Sequence, residues 1–364
     1  MTVFASTDYN AHEIVSHFHD PASGLRAIVA VHSTVLGPAF GGCRMYPYAD
    51  DEAALADALR LSRAMTYKAA LAGVPFGGGK AVIIGDPARD KSDALLTAMA
   101  RFIDSFGGRY QTADDVGTTV GDMAVMRRIT PYARGLADAA GEPCPATAWG
   151  TYHGLRAVAR HRFGRRDLAG LSVAIQGLGS VGWRLAGYLA ADGVRLVVSD
   201  IRPEAVARAV RAFGATAVTP DRILFEDVDI LSPNALGAVF DDRTIPQLRA
   251  RAIAGAANNQ LARPEHGRML AARGITYAPD YVVNAGGLID VAHEGPGYDP
   301  QTVLHCCAGI AETVAAVLRR ADRDGAAPAD IADRMAEECL AAGADADKPL
   351  VSPGFRPYDI GALA

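Results

Sequence analysis

Cysteine is scarce in this sequence, with five in 364 residues (Cys43, Cys144, Cys306, Cys307 and Cys339). An odd number without metal-ligand spacing argues against a disulfide framework and for reduced thiols, as in a cytosolic protein. Long basic stretches are missing and the formal net charge is −5, so a nucleic-acid partner is not expected. Met1 to Asp8 contain no basic segment followed by an apolar core, so no signal peptide is expected. No window is expected to reach the roughly 20 apolar residues that span a bilayer. Internal repeats and low-complexity segments are missing too. What is present is ordinary globular composition, 50% apolar and 21% charged, in a chain long enough for about two domains. The expectation is a soluble cytoplasmic protein without a metal site.

The first distinctive stretch is Gly77-Gly78-Gly79-Lys80, followed by the apolar run Ala81 to Ile84. Glycine lets backbone approach a ligand closely and adopt positive φ. Lys80 is therefore expected at a strand mouth beside bare backbone. A second lysine, Lys68, falls in the last turns of a helix that starts near Asp50 or Asp51, puts Ala54, Ala58, Leu61 and Met65 on one face, and stops at Gly73. By itself the glycine run reads as a turn with a solvated lysine; with Lys68 nearby it could also be an anion site.

Around that stretch, Gly24 to His32 reads as an aliphatic strand and Gly37 to Arg44 as a glycine-broken turn. Leu95, Met99, Phe102 and Phe106 mark a helix ended by Gly107-Gly108. Asp114 and Asp115 follow in a polar run, where capping or turn formation is expected of at least one. Ala140 to Ala146, with two prolines and a glycine, reads as a hinge. Val303 to Arg320 and Asp330 to Leu340 read as helices, with Cys306 and Cys307 in core packing, and the tail from Val351 as irregular.

A second organisation starts at Leu171. Ser172 to Gln176 is a short buried strand, then comes Gly177-Leu-Gly179-Ser180-Val181-Gly182, then a helix to Ala190, then the strand Val194 to Ser199 ending in Asp200. Strand, Gly-x-Gly-x-x-Gly, helix, strand and acid about twenty residues beyond the glycines form a dinucleotide-binding unit. Gly177 permits the tight turn, Gly179 the approach of a pyrophosphate, and Gly182 close packing of helix on strand. The amides around Ser180 and Val181 open the helix that holds the phosphates. Asp200 is placed to accept hydrogen bonds from a ribose and repel a 2′-phosphate, which favours NAD, although Arg202 could serve a phosphate. Further strands at 215–218, 228–231, 252–255 and 275–278 extend a parallel sheet. The runs containing Ala256 and Asn258, and Asn284, gather amides where those strands end.

Together these motifs resemble the Glu/Leu/Phe/Val amino-acid dehydrogenases, from about residue 20 onward. Within the family the likeness is greatest to the leucine enzymes, with the phenylalanine enzymes second. The residues that carry it are Gly37 to Met45, Met65 to Lys68, Gly77 to Lys80, Asp115 to Thr119, Gly177 to Gly182, Ala257 to Leu261 and Pro279 to Gly287. The resemblance implies an α/β protein of two domains with a cleft between them. One is an N-terminal substrate and catalytic domain, residues 1–140 plus a C-terminal return at about 328–364. The other is a Rossmann NAD-binding domain, 141–327. It also implies that Lys68 binds the substrate carboxylate, that Gly41 and Gly42 face the substrate, and that Lys80 is the catalytic lysine. Asp115 would assist proton transfer, and Asn284 would lie near the amine and the nicotinamide. Phe40, Ala113 and Val291 would shape the side-chain pocket. The implied reaction is reversible oxidative deamination of leucine, valine or isoleucine to the 2-oxo acid and ammonium. The alternatives are an aromatic substrate or a regulatory protein that binds without turnover. Relatives imply a homo-oligomer, an octamer or a dimer. Phe40 stands where the leucine-type pattern has leucine, and His293 and Gly295-Pro296 also depart from it.

Overall fold

A computed structural model describes residues 3–136, 144–235, 237–295 and 297–344. Most of the expected hinge at 140–146, Pro296 and the tail from 345 lie outside the described residues. Two sheets organise the chain. The first is built from β1 (Ile14–Asp20), β2 (Leu25–Ser33), β3 (Ala39–Phe40), β4 (Cys43–Tyr46), β5 (Gly77–Ile84) and β6 (Tyr110–Gln111). Their order is β1-β2-β5-β3-β6, with β4 also paired to β5. The second contains β7 (Ser172–Gln176), β8 (Arg195–Ser199), β9 (Thr216–Ala217), β10 (Ile230–Pro233), β11 (Ala252–Ile253) and β12 (Thr276–Tyr277). It is parallel throughout, ordered β12-β11-β10-β7-β8-β9, the doubly wound Rossmann order with its switch point between β7 and β10.

Helix α1 (Asp51–Ala72) lies on one face of the first sheet. Asp50 caps it, accepting from the Ala53 amide at 2.8 Å, and Gly73 ends it at φ 66°. Period-two alternation in β5 sends Val82 to α1, where it meets Ala54, Leu55, Ala58 and Leu59. Ala81 and Ile83 point to the other face and pack with Leu95, Leu96 and Met99 of α2 (Asp93–Asp104). A short α3 (Val120–Arg127) follows, capped by Thr119 in a reciprocal box with Asp122. Asp114 and Asp115 therefore do not cap it; the Asp115 carbonyl closes a turn onto the Thr118 amide at 2.9 Å.

The glycine run corrects one expectation. Gly77–Gly79 is not a turn ahead of a strand; it is buried inside β5, and Lys80 sits mid-strand rather than at a mouth. The reason is steric. A Cβ on Gly77 would meet the Ser33 carbonyl at 1.9 Å, one on Gly78 the Thr66 amide of α1 at 2.1 Å, and one on Gly79 the Tyr110 ring at 2.6 Å.

Helix α4 (Cys144–Phe163) leads into the second sheet, followed by α5 (Ser180–Ala191), α6 (Pro203–Phe213), α7 (Glu265–Ala272), α8 (Asp280–Val283) and α9 (Gly286–Ala292). Then come α10 (Pro300–Ala308), α11 (Ile310–Asp324) and α12 (Pro328–Ala344). The long helix read from sequence is thus two, meeting at Gly309. Pro300–Asp324 is also long and apolar enough, by length and composition, to cross a membrane, which corrects the expectation that no window would be. Here its Val303, Cys306, Cys307, Val314 and Val317 are buried in the core that also holds Leu155 and Val158 of α4. Helix α12 returns to the first sheet's side of the molecule: Tyr67 of α1 donates to Glu337 at 2.8 Å.

Candidate active site

A cavity of about 320 Å³ opens between the two sheets. Six charged side chains stand in its wall: Arg44 from β4, Lys68 from α1, Lys80 from β5, Asp114 and Asp115 from the loop before α3, and Asp280 from α8. Its apolar part comes from Phe40, Met65, Ala113, Leu288 and Val291. A larger cavity of about 850 Å³ lies elsewhere, around His161, Arg268 and Asp322, without any of these groups. Chemistry rather than size picks out the first.

The backbone holds the charged set firmly. Gly78 and Lys80 share the β5 face that α1 covers, so the bare Gly78 lets α1 come close and brings Lys68 and Lys80 to one cavity. Cys43 donates to the Ala113 carbonyl at 2.8 Å, and Met45 to Val116 at 2.9 Å. The Thr118 hydroxyl donates to the Cys43 carbonyl at 2.7 Å. Gly117, at φ 81°, lies so close to Met45 that a Cβ would stand 1.9 Å from its carbonyl oxygen. Asp115 is therefore fixed against β4 by main chain on both sides.

Lys80 is buried and pairs with Asp115. Asp115 also accepts from Arg44 Nε at 3.2 Å, and Arg44 Nη1 reaches Asp57 at 2.9 Å, where the Tyr48 hydroxyl donates at 2.6 Å. Burial pushes the Asp115 carboxyl up, but Lys80 and then Arg44 outweigh it and hold it down at about 2. Asp115 is thus an ionised acceptor in the free protein. Burial lowers the Lys68 amine to about 8; Asp280 opposes the shift and Lys80, a like charge, adds to it. Asp280 lines the same cavity, its own carboxyl pushed upward by burial.

Of the residues expected in the substrate site, the cavity wall contains Phe40, Gly42, Lys68, Lys80, Ala113, Asp115 and Val291. Gly41 is not among the residues that line the cavity. A Cβ there would stand 1.7 Å from the Gly79 carbonyl oxygen, and its own carbonyl is taken by Tyr110 at 2.6 Å and Thr112 at 3.1 Å. Its bareness serves strand packing. Asn284 is not in the wall either. It donates to Asn258 at 2.8 Å and to the Ala256 carbonyl at 3.2 Å, and Asn258 lines the cavity.

The nucleotide residues lie at the carboxyl ends of the second sheet's strands. Gly177 turns at φ 94° against Asn234, and a Cβ on Gly182 would meet the Gly177 carbonyl oxygen at 2.0 Å. Gly179 faces open space, with no atom within 4 Å of a built Cβ. Helix α5 begins there, at Ser180 and Val181, without a side-chain cap, so its first amides are free for an anion. Asp200 accepts from the Leu178 amide at 2.7 Å and holds Arg202, with Nε at 3.1 Å. The Asn284 Oδ1 is a buried acceptor without a hydrogen-bond partner among the described residues. Open glycine, uncapped helix, carboxylate and orphaned acceptor suit a dinucleotide whose reactive ring enters between the sheets.

Sequence reading overlooked Arg44, Asp57, Asp280 and Asn234, whose amide oxygen accepts from the Ala256 amide at 3.0 Å. Arg44 and Asp280 stand inside quoted motifs, and Asn234, like Asn258, follows a buried strand. These were usable signals. Asp57 carries none, since it reads as a helix surface.

Residues 12–132 match the Glu/Leu/Phe/Val dehydrogenase dimerisation domain, and residues 201–294 match the Glutamate/Leucine/Phenylalanine/Valine dehydrogenase domain. The chain belongs to this family. It is 48% identical over 344 residues to the leucine dehydrogenase of Bacillus cereus, covering 94% of each chain. It is also 48% identical over 346 residues to the valine dehydrogenase of Streptomyces albus, covering 93% of this chain and 95% of that one. The crystal structure of L-tryptophan dehydrogenase from Nostoc punctiforme superposes with a TM-score of 0.82 at 45% identity, over 92% of this chain and 96% of that one. Membership makes the protein an amino-acid dehydrogenase, an oxidoreductase that uses a nicotinamide cofactor.

Proposed function

We propose that the protein is an NAD-dependent L-amino-acid dehydrogenase that oxidatively deaminates an apolar substrate, leucine, valine or isoleucine, to the 2-oxo acid and ammonium. The observation that carries this is one cavity in which Lys68, Lys80 and Asp115 meet beside an apolar wall. In this reading Lys68 binds the α-carboxylate. Bound NAD supplies the hydride acceptor. Lys80 then moves protons as water adds to the substrate imine, and Asp115 orients the amino group. Because Lys80 and Arg44 hold Asp115 ionised in the free protein, its carboxylate is an acceptor that assists proton transfer to and from the amino group.

The branched-chain choice rests on Phe40, which lines the cavity and stacks on Phe76 with centroids 5.1 Å apart. The Phe40 ring, held by this stacking, shortens the side-chain space and disfavours an aromatic substrate. Beyond Lys68 and Lys80 the cation in the wall is Arg44, which Asp115 and Asp57 already hold, so no further cation among the described lining residues awaits a side-chain carboxylate, which disfavours glutamate. Intact Lys68, Lys80 and Asp115 disfavour a regulatory protein without turnover. We assign residues 1–140 and about 328–364 to the substrate domain and 141–327 to the nucleotide domain, supported by the packing of α12 on α1. We also propose a cytoplasmic homo-oligomer, an octamer or a dimer.

The test is NADH formation from L-leucine, L-valine, L-isoleucine and L-phenylalanine at alkaline pH. The branched-chain substrates should lead, and no NADH from any of the four would sink the reading. The cofactor choice has its own test. Asp200→Ala should weaken NAD about tenfold or more, the worth of hydrogen bonds to a charged group. It should also free Arg202 and narrow the gap to NADP. An unchanged NAD-to-NADP ratio of kcat/KM would refute the ribose role.

A further inference from the structure

Arg134 and Glu294 belong to opposite sides of the cavity and make no ion pair with Lys68, Lys80 or Asp115. The Arg134 amide donates to the Thr112 carbonyl at 2.7 Å, which ties it to the first sheet beyond β6. Its guanidinium crosses over. Nε meets Glu294 Oε2 at 3.1 Å, and Nη2 donates to the carbonyls of Val291 at 3.0 Å and Glu294 at 2.9 Å. Nη1 turns back to Gln111 Oε1 at 3.4 Å. Glu294 answers by accepting from the Gly135 amide at 3.0 Å. The pair is partly buried, with side chains 21% and 9% exposed.

These bonds reach the C-terminal end of α9, where the Val291 carbonyl also accepts from the Glu294 amide at 3.1 Å and a cation suits the helix dipole. Helix α9 carries Gly287, Leu288 and Val291 into the cavity wall, while Gly135 and Ala113 line it from the first sheet. A Cβ on Gly135 would lie 3.4 Å from that of Ala113. The clasp therefore spans the two walls between which the substrate side chain must fit. The planar fork serves two carbonyls, a carboxylate and the Gln111 amide oxygen at once, one acceptor more than the three N–H groups of a lysine can reach.

We propose that Arg134 and Glu294 are positioning residues: their clasp sets the distance of α9 from the first sheet and so the length of side chain the enzyme accepts. This rests on the amino-acid dehydrogenase reading. Loss of the fork lets α9 recede, which enlarges the apolar part of the cavity without touching Lys68, Lys80 or the glycine turn at Gly177.

Two measurements on the full-length protein test it. In Arg134→Met, amide hydrogen exchange across 286–294 should speed up by about tenfold or more, as loss of charge-assisted bonds predicts, while exchange across 180–191 stays as in wild type. In the same variant the kcat/KM ratio of phenylalanine to valine should rise about tenfold through KM, with NADH affinity unchanged. Glu294→Gln keeps both carbonyl bonds but loses the ion pair, and should shift both readouts in the direction of Arg134→Met by a smaller factor. Arg134→Lys keeps the charge without the fork and should follow Arg134→Met in direction, which decides the matter if the methionine variant does not fold. Unchanged exchange in α9, full rescue by lysine, or an equal loss of kcat/KM for all side chains would overturn the proposal. A wild-type protein inactive on every apolar amino acid would instead overturn the parent reading, and the exchange result would still decide the clasp.

Discussion

Lys80→Ala should lower kcat for the amino acid about a thousandfold, within the ~10²–10⁴ that a positioned acid–base group supplies, while NADH binds as in wild type. Lys80 reaches the cavity from β5, whereas the nucleotide features belong to the second sheet. The fold should survive, because Asp115 keeps Arg44 at 3.2 Å and is not left as an unpaired carboxylate. The same change removes the larger of the two cations that hold the Asp115 carboxyl at about 2. Its pKa should rise, and the residual activity should gain a dependence on acid pH that wild type lacks. Cofactor binding by NADH fluorescence and turnover by NADH formation separate the two effects. A variant that keeps a tenth or more of the wild-type rate would make Lys80 a structural lysine.

Gly78→Ala should be among the most damaging single methyl groups in the chain's catalytic half, and the one that parts Lys68 from Lys80. The added Cβ would lie 2.1 Å from the Thr66 amide nitrogen and 2.1 Å from its hydroxyl, main chain and side chain of a helix that cannot turn aside. Overpacking in cores costs about 1–3 kcal/mol where side chains can shift, and here α1 as a whole must lift from β5. The expected loss is at the top of that range or beyond it, read as a lowered melting transition or failure to accumulate soluble protein. Any protein that folds should show a raised KM, since Lys68 and Lys80 would move apart. Gly121→Ala is the contrast: it sits in the first turn of α3, where an added Cβ would meet only the Thr119 hydroxyl, at 3.6 Å, and should be neutral or slightly stabilising. An unchanged melting transition for Gly78→Ala would show that the close approach of helix to strand relaxes freely.

Both outcomes concern one stretch, and they show where local reading stops. The triple glycine was legible as a place where backbone must come close to something. Its partners were not: Ser33, Thr66 and Tyr110 press on three successive residues from three elements, and local rules place a glycine run in a turn before they place it in a buried strand. The long apolar stretch around Cys306 shows the same limit. Composition cannot tell a core helix from a membrane span; burial against α4 can.

By itself the sequence determined the nucleotide half of the site. Strand, glycine turn, helix, strand and acid are contiguous, so the geometry from Gly177 to Asp200 is written in spacing alone. It also determined that two lysines, Lys68 and Lys80, and a pair of acids at 114 and 115 stand beside glycine-rich backbone. Only the tertiary structure decided which acid meets Lys80, that Arg44 shares it, that Gly41 serves packing, and that Arg134 clasps the end of α9. Each of those contacts joins residues distant in the chain through side chains on different elements. Periodicity and turn chemistry act over a few neighbouring residues, so they can name the groups; the packing of β5 against α1, and of one sheet's edge against the other's helices, is what brings them together.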